Sequence, residues 1–252
     1  MTDRPSPMNS PFGPLGALRR FVRPPRAAVA GERCELCRAV LAPEHQHLIE
    51  PASRRIVCAC DACAILFDRP TGAAYRRVPR RGRLLVDFDL PDGVWDELSI
   101  PINMAFLFFS SPAARIVAIY PSPAGPTESL LPLTAWHSLA RANPVLGQMQ
   151  PDVEALLVNR LGARRGFAGH EHYLAPIDAC YQLVGLIRLR WRGLGGGTEA
   201  WDEISRFFGE LKARSLPTSA REAADANEPA EPRAAPLPAS NAAREPTCRS
   251  IP

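Results

Sequence analysis

Five cysteines crowd into one short stretch, as Cys34-x-x-Cys37 followed by Cys58-x-Cys60-x-x-Cys63. Two C-x-x-C pairs about twenty residues apart can close four thiolates around one tetrahedral ion. Few features constrain a fold as strongly. The segment between the pairs must turn back on itself, and a stretch too small to fold alone gains its stability from the ion.

The order of parts around the pairs narrows the module further. Cys34-Glu35-Leu36-Cys37 forms a knuckle. His45–Glu50 and Arg54–Cys58 read as two strands joined by a turn at Pro51–Ser53. Cys60-Asp61-Ala62-Cys63 then opens an apolar helix, Ala64-Ile65-Leu66-Phe67, stopped by Pro70. Knuckle, hairpin and helix in that order suggest a treble-clef-like zinc module. The positive helix end favours thiolate over thiol. The ligands expected from spacing are Cys34, Cys37, Cys60 and Cys63. Cys58 is a neighbour or substitute, because Cys58-x-Cys60 is too tight for an ordinary knuckle. His45 and His47 alternate and so share one strand face. They fit a second site, a replacement ligand or plain exposed polar positions. Zinc is the expected ion, and iron in the same thiolates is the alternative. Arg38 and Ala64 stand where a rubredoxin-type knuckle carries glycine, which lowers the iron reading.

The 252 residues suffice for one substantial core beside the small module. No apolar run reaches the length of a membrane span. The start, MTDRPSPMNSPFGPLG, has no apolar signal core, so a cytoplasmic setting is expected, where clustered cysteines bind metal rather than pair as disulfides. The net charge of +4 does not itself imply nucleic acid. Lys212 is the only lysine, and the arginines at 76, 77, 80, 81 and 83 read as a solvated basic surface, like those at 19, 20, 23 and 26.

Past the module the chain reads as α+β: a mixed α/β domain with two C-terminal helices. Leu84–Leu90 is expected as a strand, Val94–Leu98 as a short helix, and Met104–Phe109 with Arg115–Tyr120 as a hairpin. Thr134 can cap a helix that ends at Asn143-Pro144, whereas Pro151–Leu161 suits helix or strand equally. Ile177, Cys180, Tyr181, Val184, Ile187 and Trp191 recur at helical spacing, with Cys180 a buried core thiol. Thr198 is expected to cap the last helix, whose stripe is Trp201, Ile204, Phe208 and Leu211. The expected division is a disordered start over 1–16, the cysteine module over 17–70, the α+β domain over 71–215 and a disordered tail over 216–252 that holds Cys248.

G-x-S-x-G, the P-loop and G-x-G-x-x-G after a strand are absent. His170, Glu171 and His172 read as a surface cluster and Asp178 as a helix-dipole partner. An HNH-type nuclease with His45 or His47 as base fits poorly, because Ala62 and Ala64 stand where the helix needs a metal-binding histidine.

Several stretches taken together (CELC, EHQHL, CACDACAILF, YPSPAGPTESLLPL, NPVLGQMQPDVEALLVNR, YLAPIDACYQLVGLIRLRWRG and the closing W-x-x-I-x-x-FF-x-x-L) resemble one family. It is an uncharacterised bacterial family, mainly actinobacterial, encoded beside nickel–iron hydrogenase genes. The resemblance runs from about Arg19 to Ser215. It implies a non-catalytic accessory role in hydrogenase assembly or function, with a hydrogenase subunit or maturation factor as partner. By matching positions, it implies Cys34, Cys37, Cys60 and Cys63 as the metal ligands. The YPSPAGPTES stretch is either a partner loop or a tight structural connection.

Overall fold

The structure, a computed structural model, describes residues 31–68, 74–129, 133–162, 169–193 and 195–221. Its first sheet is built on the expected hairpin. Strands β1 (Gln46–Glu50) and β2 (Arg55–Ala59) pair antiparallel, with Leu48 opposite Val57. Arg54 closes the turn in the left-handed region, at φ 58°. Helix α1 (Asp61–Phe67) follows directly, and β3 (Arg76–Arg77) pairs with the free side of β1 to give the order β2-β1-β3. The small core under this sheet is Cys34, Leu41, Leu48, Val57, Ala59, Cys63 and Ala64. Two of those seven are candidate metal ligands, so the module's own apolar core is small.

The rest of the chain forms a seven-stranded sheet. Its elements are β4 (Arg83–Val86), α2 (Asp92–Glu97), β5 (Met104–Ser110), β6 (Arg115–Ser122), β7 (Gly125–Ser129), α3 (Leu133–Ala142), a 3-10 turn at Pro144–Gln148, β8 (Glu154–Asn159), β9 (Glu171–Pro176), α4 (Ile177–Arg190), α5 (Gly197–Arg214) and β10 (Leu216–Ser219). The strand order is β10-β4-β9-β8-β5-β6-β7, antiparallel except for the parallel pair β10–β4. Both faces of the central strands are covered. Phe106, Phe108, Ala155 and Leu157 meet Cys180, Leu183, Phe207 and Phe208 of α4 and α5 on one face. Their neighbours Ala105, Leu107, Leu156 and Val158 meet Trp95, Trp136 and Leu139 of α2 and α3 on the other. The protein is therefore a mixed α+β fold.

Several elements differ from the sequence expectation. The first strand of the main sheet is short, because Asp87 turns the chain at φ 55°. Residues 151–161 contain a strand and no helix. Gly196, at φ 84°, caps α5, and Thr198 lies inside the helix. The YPSPAGPTES stretch forms a tight hairpin, with β6 and β7 paired from Ala118↔Ser129 to Ser122↔Gly125. The ordered chain runs past Ser215, because β10 pairs with β4 and Ala220 is fully buried. The small sheet likewise extends past residue 70, through β3. Residues 1–16 and the tail from 222, with Cys248, lie outside the described residues.

Named contacts join the small sheet to the large one. Ile49 and Val78 are buried in the core between the large sheet and α4–α5. Arg76 of β3 donates to the Pro151 carbonyl at 2.9 Å and pairs with Asp152 at 3.3 Å. The Asp152 carboxylate is buried and also accepts the Ser111 backbone N–H at 2.8 Å and the Ser111 hydroxyl at 2.5 Å. Arg77 pairs with Asp68, Arg80 donates to the Glu44 carbonyl, and Arg83 pairs with Glu154. Arg76 and Arg83 are half-buried in these bonds, whereas Arg77, Arg80 and Arg81 are exposed, as a solvated basic surface requires; Arg19, Arg20, Arg23 and Arg26 lie outside the described residues.

Candidate metal centre

The knuckle is shaped by its own backbone. The Cys34 N–H donates to the Ala39 carbonyl, and the Arg38 N–H donates to the Cys34 carbonyl, both at 2.8 Å. Arg38 takes φ 67° to close that turn. The missing glycine therefore does not mean a different knuckle. An arginine occupies the left-handed position at a cost of roughly 1 kcal/mol. Glu35, between the two cysteines, stitches the knuckle to β2. Its N–H donates to the Cys58 carbonyl at 2.9 Å, and its carboxylate accepts the Cys58 N–H at 2.9 Å and Arg55 at 2.6 Å. The Cys58 N–H, helped by the Arg55 guanidinium, holds the Glu35 carboxyl below its usual range despite some burial. The second pair sits where the chain enters α1, with Cys60 as the residue before the helix and Cys63 in its first turn.

These supports bring Cys34, Cys37, Cys60 and Cys63 together, with all four sulfurs within 4.8 Å of one another. The sulfurs of Cys37 and Cys60 lie 3.6 Å apart. A tetrahedral ion with bonds of about 2.3 Å to sulfur needs edges of about 3.8 Å, so the set fits with small adjustments. Cys34 and Cys63 are buried and Cys37 is exposed, so the site lies at the module surface.

The thiols are electrostatically divided. Burial opposes ionisation of Cys34, but the backbone N–H groups of Cys60, Cys37 and Leu36 outweigh it and hold Cys34 at about 6. Burial and hydrogen bonds with the other three thiols push Cys63 up to about 12. At Cys37 the Ala39 N–H favours thiolate, yet the bonds with Cys34 and Cys60 leave the thiol above its usual value. The expected stabilisation of thiolate at the helix entrance therefore falls on Cys34 and not on Cys63. The crowded thiols thus pull Cys34 toward thiolate and hold Cys37 and Cys63 toward thiol. A divalent cation is what lets all four ionise.

A second group lies on the neighbouring face. His45, His47 and Cys58 each offer a ligand atom within 4.8 Å of the others. The two rings stand edge to face, with centroids 4.9 Å apart. His45 Nδ1 lies 3.0 Å from the Ala42 carbonyl, and His47 Nδ1 lies 2.6 Å from the Asp178 carboxylate at the start of α4. That carboxylate raises the His47 pKa against the opposing effect of partial burial. The sequence reading missed this role of Asp178, because 131 residues separate it from His47. It also missed Glu32, whose carboxylate stands 3.6 Å from His45 Nε2.

Other candidate residues lie elsewhere. Cys180 is a fully buried thiol in the α4 core, and burial raises its pKa well above normal. His172 is not a surface residue. It is buried against Phe88, with ring centroids 4.6 Å apart, and burial lowers its pKa to about 4, aided by the charges of His170 and Arg160. Among the described residues no helix is long and apolar enough to cross a membrane.

No curated protein and no solved structure matches the chain significantly. The model of one family does match, over residues 33–215, a span that begins one residue before Cys34 and ends with α5. The four clustered cysteines and the whole of the main sheet except β10 fall inside that span, and the chain belongs to this family of unknown function, DUF5947.

Proposed function

We propose that Cys34, Cys37, Cys60 and Cys63 hold one zinc ion in a treble-clef-like module, and that the protein is a non-catalytic accessory factor in nickel–iron hydrogenase assembly or function. The observation that carries the metal reading is the convergence of four sulfurs within 4.8 Å, from a knuckle and a helix entrance. The knuckle, the β1–β2 hairpin and α1 with a ligand in its first turn follow the treble-clef order. Zinc in such a set is a structural ion: it neutralises the thiolates and fixes the knuckle against the helix. The module over β1 to β3 then presents α1, whose Ile65 and Leu66 are exposed, beside the main domain.

The hydrogenase assignment rests on the resemblance of the cysteine segments and the C-terminal helices to a family encoded beside hydrogenase genes. The test is affinity purification from the native host, with a deletion strain in parallel. Co-purification of a hydrogenase subunit or maturation factor supports the assignment, as does loss of mature hydrogenase at unchanged transcript level. Normal hydrogenase maturation in the deletion strain contradicts it.

One observation keeps a second reading in view. Arg38 adopts the left-handed turn that a rubredoxin-type knuckle requires, so the missing glycine at that position does not argue against iron, whereas Ala64, at the second position, lies inside α1. A coloured, reducible protein is the signature of that electron-transfer alternative. The nuclease reading gains no support, because Ala62 and Ala64 occupy α1 where it needs a histidine.

A further inference from the structure

We infer that His45, His47 and Cys58 form a second, exchangeable site for a divalent transition ion of the zinc type, separate from the four-cysteine site. Their ligand atoms converge within 4.8 Å, and none belongs to the four-cysteine set. The second-sphere bonds select the ligating atoms. His47 Nδ1 donates to the Asp178 carboxylate at 2.6 Å, which leaves Nε2 as its free lone pair. His45 Nδ1 faces the Ala42 carbonyl at 3.0 Å and must donate there, because a carbonyl cannot. That again leaves Nε2. A ligating imidazole fixed through its other nitrogen by a carboxylate or a carbonyl is the usual arrangement around a bound metal.

An independent observation points the same way. The His45 side chain is only 8% exposed, yet Nε2 has no hydrogen-bond partner among the described residues. Its nearest charged neighbour is Glu32 Oε2 at 3.6 Å. In the tautomer that Ala42 selects, a buried lone pair faces a carboxylate oxygen. Two acceptors facing each other are stabilised by a cation between or beside them.

The donor set defines the ion. Two imidazoles and a thiolate, with a carboxylate in reach, suit zinc, cobalt or nickel in the divalent state and not magnesium or calcium. Three protein ligands leave a fourth position for Glu32 or for a small ligand. Both histidines also line a cleft of about 830 Å³ together with Arg80, Arg81 and Arg214, which gives the ion a route to solvent. The four-cysteine ion is closed by protein sulfur, whereas this one exchanges.

The test is a cobalt(II) titration of the full-length, metal-stripped protein under reducing, anaerobic conditions, with His45→Ala, Cys58→Ser and Glu32→Gln in parallel. Wild type is expected to take up about two equivalents, the weaker of which a chromophoric chelator removes first. His45→Ala and Cys58→Ser should each lose that weaker ion and keep the four-thiolate cobalt spectrum, which also reports that the module is folded. Glu32→Gln alters an exposed side chain and should weaken the second ion about tenfold without changing the first. A single equivalent in wild type overturns the inference, as does undiminished binding of two in both His45→Ala and Cys58→Ser. Loss of the four-thiolate spectrum in Cys58→Ser also overturns it, by making Cys58 a ligand of the first ion. If the four-thiolate spectrum is absent but a histidine-dependent ion binds, the zinc-module reading fails and this site stands.

Discussion

His47 and Asp178 meet at 2.6 Å, with the imidazole Nδ1–H donated to a carboxylate in the first turn of α4. The bond ties the cysteine-rich sheet to the main domain. It also leaves the other ring nitrogen of His47 without that bond, on a ring that stands edge to face with His45 at 4.9 Å. Asp178→Asn keeps the side-chain volume but removes the charge that orients and polarises the ring. It is expected to lower affinity for the second ion by about 10- to 100-fold and to leave the four-thiolate ion in place. Competition with a chromophoric chelator measures this, and equal affinities in variant and wild type refute it.

The joint has a second fastening whose loss should cost stability. Arg76 is the cation beside the buried Asp152 carboxylate, which is 3% exposed and also bonded twice to Ser111. Arg76→Ala leaves that charge buried without a counter-ion, a change that typically costs about 3–5 kcal/mol. Urea unfolding should show the loss. The double variant Arg76→Ala, Asp152→Asn should recover a large part of it, because the orphaned charge is gone.

Acid sensitivity should arise largely at His172. Its pKa falls from 6.5 to about 4 on folding, through burial first and then the nearby positive charges. Between those values the unfolded chain binds a proton that the folded chain refuses, so stability falls as pH falls from 6.5 toward 4. The expected loss is on the order of 3 kcal/mol. His172→Phe keeps the stack on Phe88 and should flatten the stability profile in that window. An unchanged slope would show that other groups control it.

Arg38 offers a stabilising substitution. Its φ of 67° strains a residue with a Cβ, and glycine relieves that strain. Arg38→Gly is expected to raise the midpoint of thermal unfolding of the metal-loaded protein modestly, by roughly 1 kcal/mol of stability, offset in part by the entropy of glycine in the unfolded chain. A lowered midpoint would show that the Arg38 side chain contributes more than its backbone costs.

The sequence made the cysteine module legible because its signals are local: residue spacing, one hairpin and one helix entrance. It was less informative where folding depends on distant partners. Ala155–Val158 shows no alternation because both faces of β8 are buried, so helix and strand could not be separated by period. Leu216–Ser219 has the composition of a tail, and only the parallel ladder with β4 makes it a strand. Pro121 and Pro126 suggested a loop, yet they face each other on the outermost strand pair, where proline is tolerated. At the site, the cysteines and histidines were visible as ligand types. Asp178 was not, because its role follows from α4 docking beside β1.

The most direct test of the central claim is metal analysis, with a visible spectrum, of the protein purified anaerobically, beside the Cys37→Ser variant. Cys37 is exposed, so its substitution removes a ligand with little loss of core packing. Wild type should carry at least about one equivalent of zinc without colour, and Cys37→Ser should lose it readily to chelator. Metal-free wild type, iron with thiolate-to-metal absorption, or zinc held as tightly by Cys37→Ser as by wild type would contradict a four-cysteine zinc site.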